Sequence, residues 1–264
     1  MSIRGRVSIA ICSVVALAVA CRSVTRLVLF PVAEIPEAAG LPAFVEQRLL
    51  ASDGVPVRAL ELRGPEGSPV VVHFHNNREV AEQSEVLGQE LAARGVGVLL
   101  VEYRGYGASH AGTPSEEGFY ADAEAALALL ASRGIPPSQI VLWGTSLGTG
   151  VAAEMARRGR GGRLVLVTPY TSIPGLVTDL LPLVPAGILI ADHFDTLSKA
   201  PGIAIPTTVV HGDADEIVPF RMGEHLAKTI PGARLLKIAG GRHGDLLQRA
   251  RPAIIDTLVG VPGR

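Results

Sequence analysis

The chain has 264 residues, of which 48% are hydrophobic and 19% charged, and its formal net charge is −1. That length supplies one sizeable core, the composition lies far from the disordered range, and no basic field exists to hold nucleic acid. The two Cys, Cys12 and Cys21, stand near the start, and no CxxC or Cys/His zinc spacing occurs, so neither a metal nor a cofactor is expected.

Arg4 and Arg6 precede an apolar run from Val7 to Ala20, and Arg22 and Arg26 follow it. The run is shorter than the about 20 residues a membrane-spanning helix needs. It suits the apolar core of an export signal. Ala18-Val19-Ala20 offers small residues at a cleavage site directly before Cys21, a pattern that resembles the lipobox of bacterial lipoproteins. Ala18 stands where that pattern usually has Leu. Residues 1–21 are therefore read as a signal peptide with Cys21 as the lipidation site, and residues 22–40 as a linker or tether. Plain secretion, and an uncleaved anchor lengthened by Leu27 to Phe30, are the alternatives. All three place the protein outside the cytoplasm, the first and third with membrane attachment through the N-terminus.

Two strands, Phe44 to Leu50 and Pro56 to Leu62, are predicted on either side of the turn signal Asp53-Gly54. Pro69 to Phe74 is a continuous apolar run, as a strand buried on both faces requires. Then follow a helix over Val80–Ala93, a strand over Val96–Tyr103, a helix over Glu117–Ser132, a strand over Ile140–Trp143 and a helix over Leu147–Arg158. Strands at Leu164–Thr168 and Thr207–His211 come next. A helix at Pro219–Thr229, a strand at Arg234–Ile238 and a helix at Asp245–Leu258 complete the domain, taken as residues 41–264. Alternation of this kind predicts an α/β fold: a mostly parallel central sheet after an N-terminal antiparallel hairpin, with helices on both faces. The long stretch between Thr168 and Thr207 carries six prolines and apolar patches. A structureless loop of that length is unusual, so two short helices forming a small lid are expected over about residues 170–205.

Gly144-Thr145-Ser146-Leu147-Gly148 follows a buried strand and opens a helix, the context in which GxSxG forms a nucleophile elbow. A serine hydroxyl needs a base, and in this arrangement the order along the chain is Ser, acid, His. His243 lies in Gly240-Gly241-Arg242-His243-Gly244, a loop just after the last strand, and is the candidate base. His193 falls in the lid, His225 in a helix, and His211 at a strand end where a structural hydrogen bond is expected. The acid belongs on the loop after Thr207–His211, where both Asp213 and Asp215 stand. The Leu147 amide is one expected oxyanion donor. The other comes from the loop His75-Asn76-Asn77-Arg78, with Asn77 the candidate and Asn76 the alternative. His73 and His75 form an HxH pair, but no third ligand follows at a useful spacing, so no metal is assigned.

From about Phe44 onward the chain resembles the small α/β hydrolases that include membrane-attached depalmitoylating thioesterases and their bacterial relatives. The residues that carry the resemblance are the elbow, Tyr103 to Ser109, Tyr120 to Ala125, Phe194-Asp195-Thr196, His211-Gly212 with Asp215 to Pro219, and Gly240 to His243. The resemblance implies the α/β-hydrolase fold and a serine hydrolase that cleaves carboxylic esters or thioesters through an acyl-enzyme, acting on a small-molecule or acylated substrate. It implies Asp215 as the acid, since relatives place it fifth counting from the His of the His-Gly pair. An acyl-peptidase or amidase would use the same triad, and a non-catalytic envelope protein could keep the same fold. Relatives usually have His-Gly-Asn in the oxyanion loop. Here Asn76 takes the Gly position, and Asn tolerates a left-handed backbone better than most residues.

Overall fold

In the computed structural model, residues 29–31 and 44–260 are described; Cys21 and the expected signal peptide lie outside them. Among the described residues eight strands form one sheet: β1 Val45–Leu50, β2 Pro56–Leu62, β3 Val70–Phe74, β4 Gly97–Glu102, β5 Ile140–Thr145, β6 Arg163–Val167, β7 Thr207–Gly212 and β8 Arg234–Ile238. Their order is β1-β2-β4-β3-β5-β6-β7-β8. β1 and β2 pair antiparallel across the Asp53-Gly54 turn, and β2 pairs antiparallel with β4. Every later pairing is parallel.

The helices among the described residues are α1 Glu85–Ala93, α2 Glu116–Ser132, α3 Leu147–Arg157, α4 Ile173–Leu180, α5 Ala186–Leu189, α6 Thr196–Lys199, α7 Phe220–Thr229, α8 Leu246–Arg249 and α9 Arg251–Val259. The apolar strand runs divide between two cores because successive side chains point to opposite faces. Val72, Phe74, Leu142, Leu164 and Leu166 pack with residues of α2 and α3 on one side. Val71, Val141, Trp143, Val165 and Val167 pack with residues of α1 and α9 on the other. Each such fully buried side chain contributes about 1.5–3 kcal/mol relative to exposure.

Four departures from the sequence expectations have local causes. The helix expected over Val80–Ala93 begins as a 3-10 turn, Ala81–Ser84, before α1. The last helix is broken at Ala250, because Pro252 has no N–H to continue a helix from the preceding turn and instead occupies the first turn of α9. The 170–205 stretch holds three short α-helices, α4 to α6, and a 3-10 turn at Ala200–Gly202, where two short helices were expected. The tether expected over residues 22–40 is not free along its whole length: Phe30 is buried, edge-on to Phe119 at 5.2 Å and to Phe194 at 6.3 Å. A large aromatic ring gains more from that pocket than from solvent.

The motifs at Tyr103 to Ser109, Tyr120 to Ala125 and Phe194-Asp195-Thr196 serve the scaffold. Arg104 is buried and donates to Asp122 at 2.7 and 2.9 Å, and it also pairs with Asp53 of the hairpin turn. One guanidinium thus ties the hairpin, the loop after β4 and α2 together. Phe194 takes a positive φ of 42°, and Asp195 caps α6 by accepting from the Ser198 amide at 3.1 Å.

Candidate active site

Ser146 sits between β5 and α3 with φ 49° and ψ −113°. A non-glycine residue in that region is strained by about 1–3 kcal/mol and persists only where its surroundings over-determine it. Here the Ser146 amide donates to Val167 O at 2.9 Å, and its carbonyl accepts from the Thr149 amide at 2.9 Å and from Thr149 Oγ1 at 2.6 Å. The two glycines of the elbow are required by contact. A Cβ on Gly144 would overlap the Gly148 carbonyl, and one on Gly148 would overlap the Phe74 carbonyl of β3. Larger residues at either position would push α3 off the sheet.

Asp215 and His243 meet across the loops after β7 and β8. His243 Nδ1 lies 2.9 Å from Asp215 Oδ2 and 3.1 Å from Oδ1. A carboxylate only accepts, so Nδ1 carries a ring proton, and in the neutral form of the ring Nε2 keeps its lone pair. The Asp215 side chain is buried, and Oδ1 also accepts from the Ile217 and Val218 amides at 2.9 and 2.8 Å. Burial works to raise its pKa, but hydrogen bonds from His211, His243 and the Val218 amide, with the charge of His243, hold it well below the usual carboxylate range. Asp213 faces elsewhere: it accepts from the Gly240 amide at 2.6 Å and pairs with Lys237 at 3.2 Å, which braces the β7 and β8 loops.

His211 does more than its expected structural bond. Its Nε2 donates to Val218 O at 3.0 Å and also lies 3.4 Å from Asp215 Oδ2. It therefore holds the carboxylate from behind. The sequence placed it one residue before the loop, with nothing in the spacing to show that its ring turns toward Asp215.

The oxyanion loop is organised around Asn76. Asn76 Nδ2 donates to Glu79 at 2.7 Å, Asn76 Oδ1 accepts from the Arg78 amide at 2.8 Å, and Asn76 O accepts from His75 Nδ1 at 2.7 Å. Glu79 is buried and accepts in turn from Ser84 Oγ. Asn76 does not take the left-handed backbone for which the sequence offered it as a substitute: among the described non-glycine residues, only Ser146, Thr168 and Phe194 have positive φ. Its side chain, used as a turn brace, replaces the conformational freedom that Gly would have supplied. The brace leaves the Asn77 and Leu147 amides with no hydrogen-bond partner among the described residues. Glu79 and Ser84 were not legible as site residues, because neither falls in a motif.

His73 and His75 hold no metal arrangement among the described residues. His73 stacks on Trp143 at 3.8 Å. His75 accepts from the Tyr103 amide at 3.3 Å through Nε2, so both its nitrogens are used, and burial pushes its pKa down to about 4.

Two cavities, of about 470 and 220 Å³, share Ser146, Asn77, Arg78, His243 and Gly244 in their walls. Ile173 and Leu176 of α4 wall the larger one, so the 170–205 stretch borders the nucleophile. Leu29 also lines it and accepts from Asn77 Nδ2 at 3.3 Å. Leu180, Leu181, Leu183 and Ile188 of the same stretch are exposed. No helix among the described residues is long and apolar enough to cross a membrane.

Residues 65–191 match a family model described as serine aminopeptidase, S33. An uncharacterized protein of Mycobacterium tuberculosis is 32% identical over 226 residues, covering 83% of this chain and 80% of that one. A lysophosphatidylserine lipase of Danio rerio is 30% identical over 181 residues, or 60% of this chain and 46% of the lipase. Among solved structures, an esterase of Pyrococcus furiosus superposes with a TM-score of 0.72 at 16% identity, over 88% of this chain and 97% of that one. The thioesterase domain from the curacin biosynthetic pathway gives 0.63 at 17% identity, over 82% of this chain and 99% of the domain. At such identities the likeness is one of fold.

Proposed function

From a chain that belongs to the α/β-hydrolase superfamily and is a hydrolase of that group, we propose a serine esterase or thioesterase with Ser146 as nucleophile, His243 as base and Asp215 as the acid that orients it. The observation that carries the reading is the His243–Asp215 hydrogen bond at 2.9 Å, made on loops that share a cavity wall with a strained serine.

The reaction follows from the protonation states. His243 Nε2, unprotonated, takes the proton as Ser146 Oγ attacks the carbonyl carbon. The imidazolium that forms is stabilised by the ionised Asp215. The developing oxyanion accepts from the Leu147 and Asn77 amides, donors that each are worth about a hundredfold to a thousandfold in rate. His243 then gives its proton to the leaving oxygen or sulfur. Water, activated by the same imidazole, attacks the acyl-enzyme and restores Ser146. An amide substrate would be cleaved by the same steps, and the family description favours keeping that reading as the second one. Paired ester and amide substrates of one acyl group decide between them. Ser146→Ala tests the mechanism: turnover of a simple aryl ester is expected to vanish in a folded variant, and wild-type activity there would remove Ser146 from the reaction.

The location belongs to the same proposal. An export signal ending at Cys21 would leave a lipidated N-terminus holding the domain at a bacterial membrane, with more than one acyl chain needed for firm attachment. Mass spectrometry of the membrane fraction tests it. An acylated N-terminal Cys21 supports lipid anchoring, an unmodified one means plain secretion, and a chain that keeps Met1 means an uncleaved anchor.

A further inference from the structure

The two cavities that meet at Ser146 differ in size and in one charge. The larger presents Leu29, Tyr170, Ile173, Leu176, Ile217 and Val218, an apolar wall suited to an acyl chain, and Glu216 also lines it. The smaller presents Asn76, Asn77, Thr145 and Thr168 beside the apolar Val167, Leu246 and Leu247, and Arg78 stands in the walls of both. No carboxylate lines the smaller cavity, and Arg78 is its one permanently charged residue among the described ones. Arg78 is exposed, and none of the ion pairs among the described residues involves it. Most other arginines near the sheet's carboxyl end are matched: Arg221 pairs with Asp179 and Arg242 with Glu216.

Resting on the serine-hydrolase reading above, we propose that Arg78 is a specificity residue that selects substrates whose leaving group carries an anionic oxygen group, a carboxylate or a phosphate, beside the scissile ester or thioester.

Three features assign the ends of the substrate. An acyl chain buries more apolar surface in the larger cavity, about 470 Å³, than the smaller one can cover. Arg78 borders both cavities, but only the larger also holds a carboxylate, Glu216; an anion is therefore better placed in the smaller, where the guanidinium can grip carboxylate or phosphate oxygens with two parallel N–H donors. Arg78 also follows Asn77 directly, and its own amide is fixed to Asn76 Oδ1 at 2.8 Å. The guanidinium stem therefore starts one residue from the proposed oxyanion donor. A charge within its reach lies on the part of the substrate next to the reacting carbon. The smaller cavity, about 220 Å³, limits that leaving group to a compact one.

The test compares two hexanoyl esters of equal size, one of 3-hydroxybenzoate and one of 3-hydroxybenzamide, on the full chain. Wild type is expected to prefer the anionic ester by about tenfold in kcat/KM, chiefly through KM, and the preference should shrink as salt rises. Arg78→Gln should reduce the ratio of the two kcat/KM values about tenfold, and Arg78→Lys should restore part of it. Equal rates on both esters in wild type would overturn the assignment and leave the hydrolase reading standing. An equal loss on both in Arg78→Gln would also overturn it, because that is the signature of a group acting on the oxyanion. Hydrolysis of neither ester, with Ser146 inert, would remove both readings together.

Discussion

Replacing Asp215 by Asn separates an orienting acid from a loop brace, and its effect can be worked out from the bonds at that carboxylate. Oδ1 accepts two backbone N–H groups, from Ile217 and Val218, at 2.9 and 2.8 Å. An amide NH2 cannot take that place, so the Asn oxygen must occupy it. The Nδ2 of the variant is then forced to the Oδ2 position, 2.9 Å from His243 Nδ1 and 3.4 Å from His211 Nε2. A donor there compels His243 to present the lone pair of Nδ1 and carry its proton on Nε2. That tautomer cannot accept the Ser146 proton. The same change of tautomer in a Ser-His-Asp triad lowers kcat by about 10⁴, which corresponds to about 5.5 kcal/mol of transition-state stabilisation. Asp213→Asn instead touches an exposed pair with Lys237 and one loop amide, and should change kcat by less than about threefold. Steady-state kinetics on an aryl ester, with circular dichroism to show both variants folded, makes the comparison. If Asp213→Asn is the more damaging, or if Asp215→Asn keeps kcat within tenfold of wild type, the orienting role assigned to Asp215 is wrong.

Two further outcomes follow from contacts and burial. Gly148→Ala should cost more than about 3 kcal/mol and most of the soluble yield, because the added methyl would overlap the Phe74 carbonyl and lie 2.8 Å from that of His75, both rigid backbone; a variant with wild-type urea unfolding would contradict the close approach. His75 is neutral when folded down to about pH 4, whereas an exposed imidazole takes up its proton near 6.5. The unfolded chain therefore binds more protons between those values, so the stability His75 contributes is full above about pH 6.5 and is lost as pH falls toward 4, by about 2 kcal/mol at pH 5. Urea unfolding at pH 7 and pH 5 should show that much less acid sensitivity in His75→Gln than in wild type, and equal sensitivity would show that His75 does not titrate in this way.

What could be read before folding was what depends on local sequence. Alternating apolar runs and turn residues gave the strand and helix order, with Pro56–Leu62 and Arg234–Ile238 matching their observed bounds. The elbow was legible because its five residues are contiguous between a strand and a helix, although Gly148 answers to the distant Phe74 carbonyl and only Gly144 to a neighbour, Gly148. Other features depend on contacts made across the fold. Phe30 was read as tether because nothing nearby in sequence announces Phe119 and Phe194. The braces at Glu79 and Ser84, and the turn of the His211 ring toward Asp215, are close in sequence but arise from side-chain rotamers that no motif announces. Asn76 shows the limit most clearly. The substitution for Gly was visible, but the expected remedy was a backbone conformation, and the structure uses the side chain instead.

The central claim is that Ser146 is an activated nucleophile, and a fluorophosphonate probe reads that property without knowledge of the substrate. Peptide mapping of the labelled protein should place one adduct on Ser146, and labelling should fall to background in His243→Ala, since the imidazole supplies the base. A protein that stays unlabelled, or one labelled at a serine other than Ser146, would contradict the account.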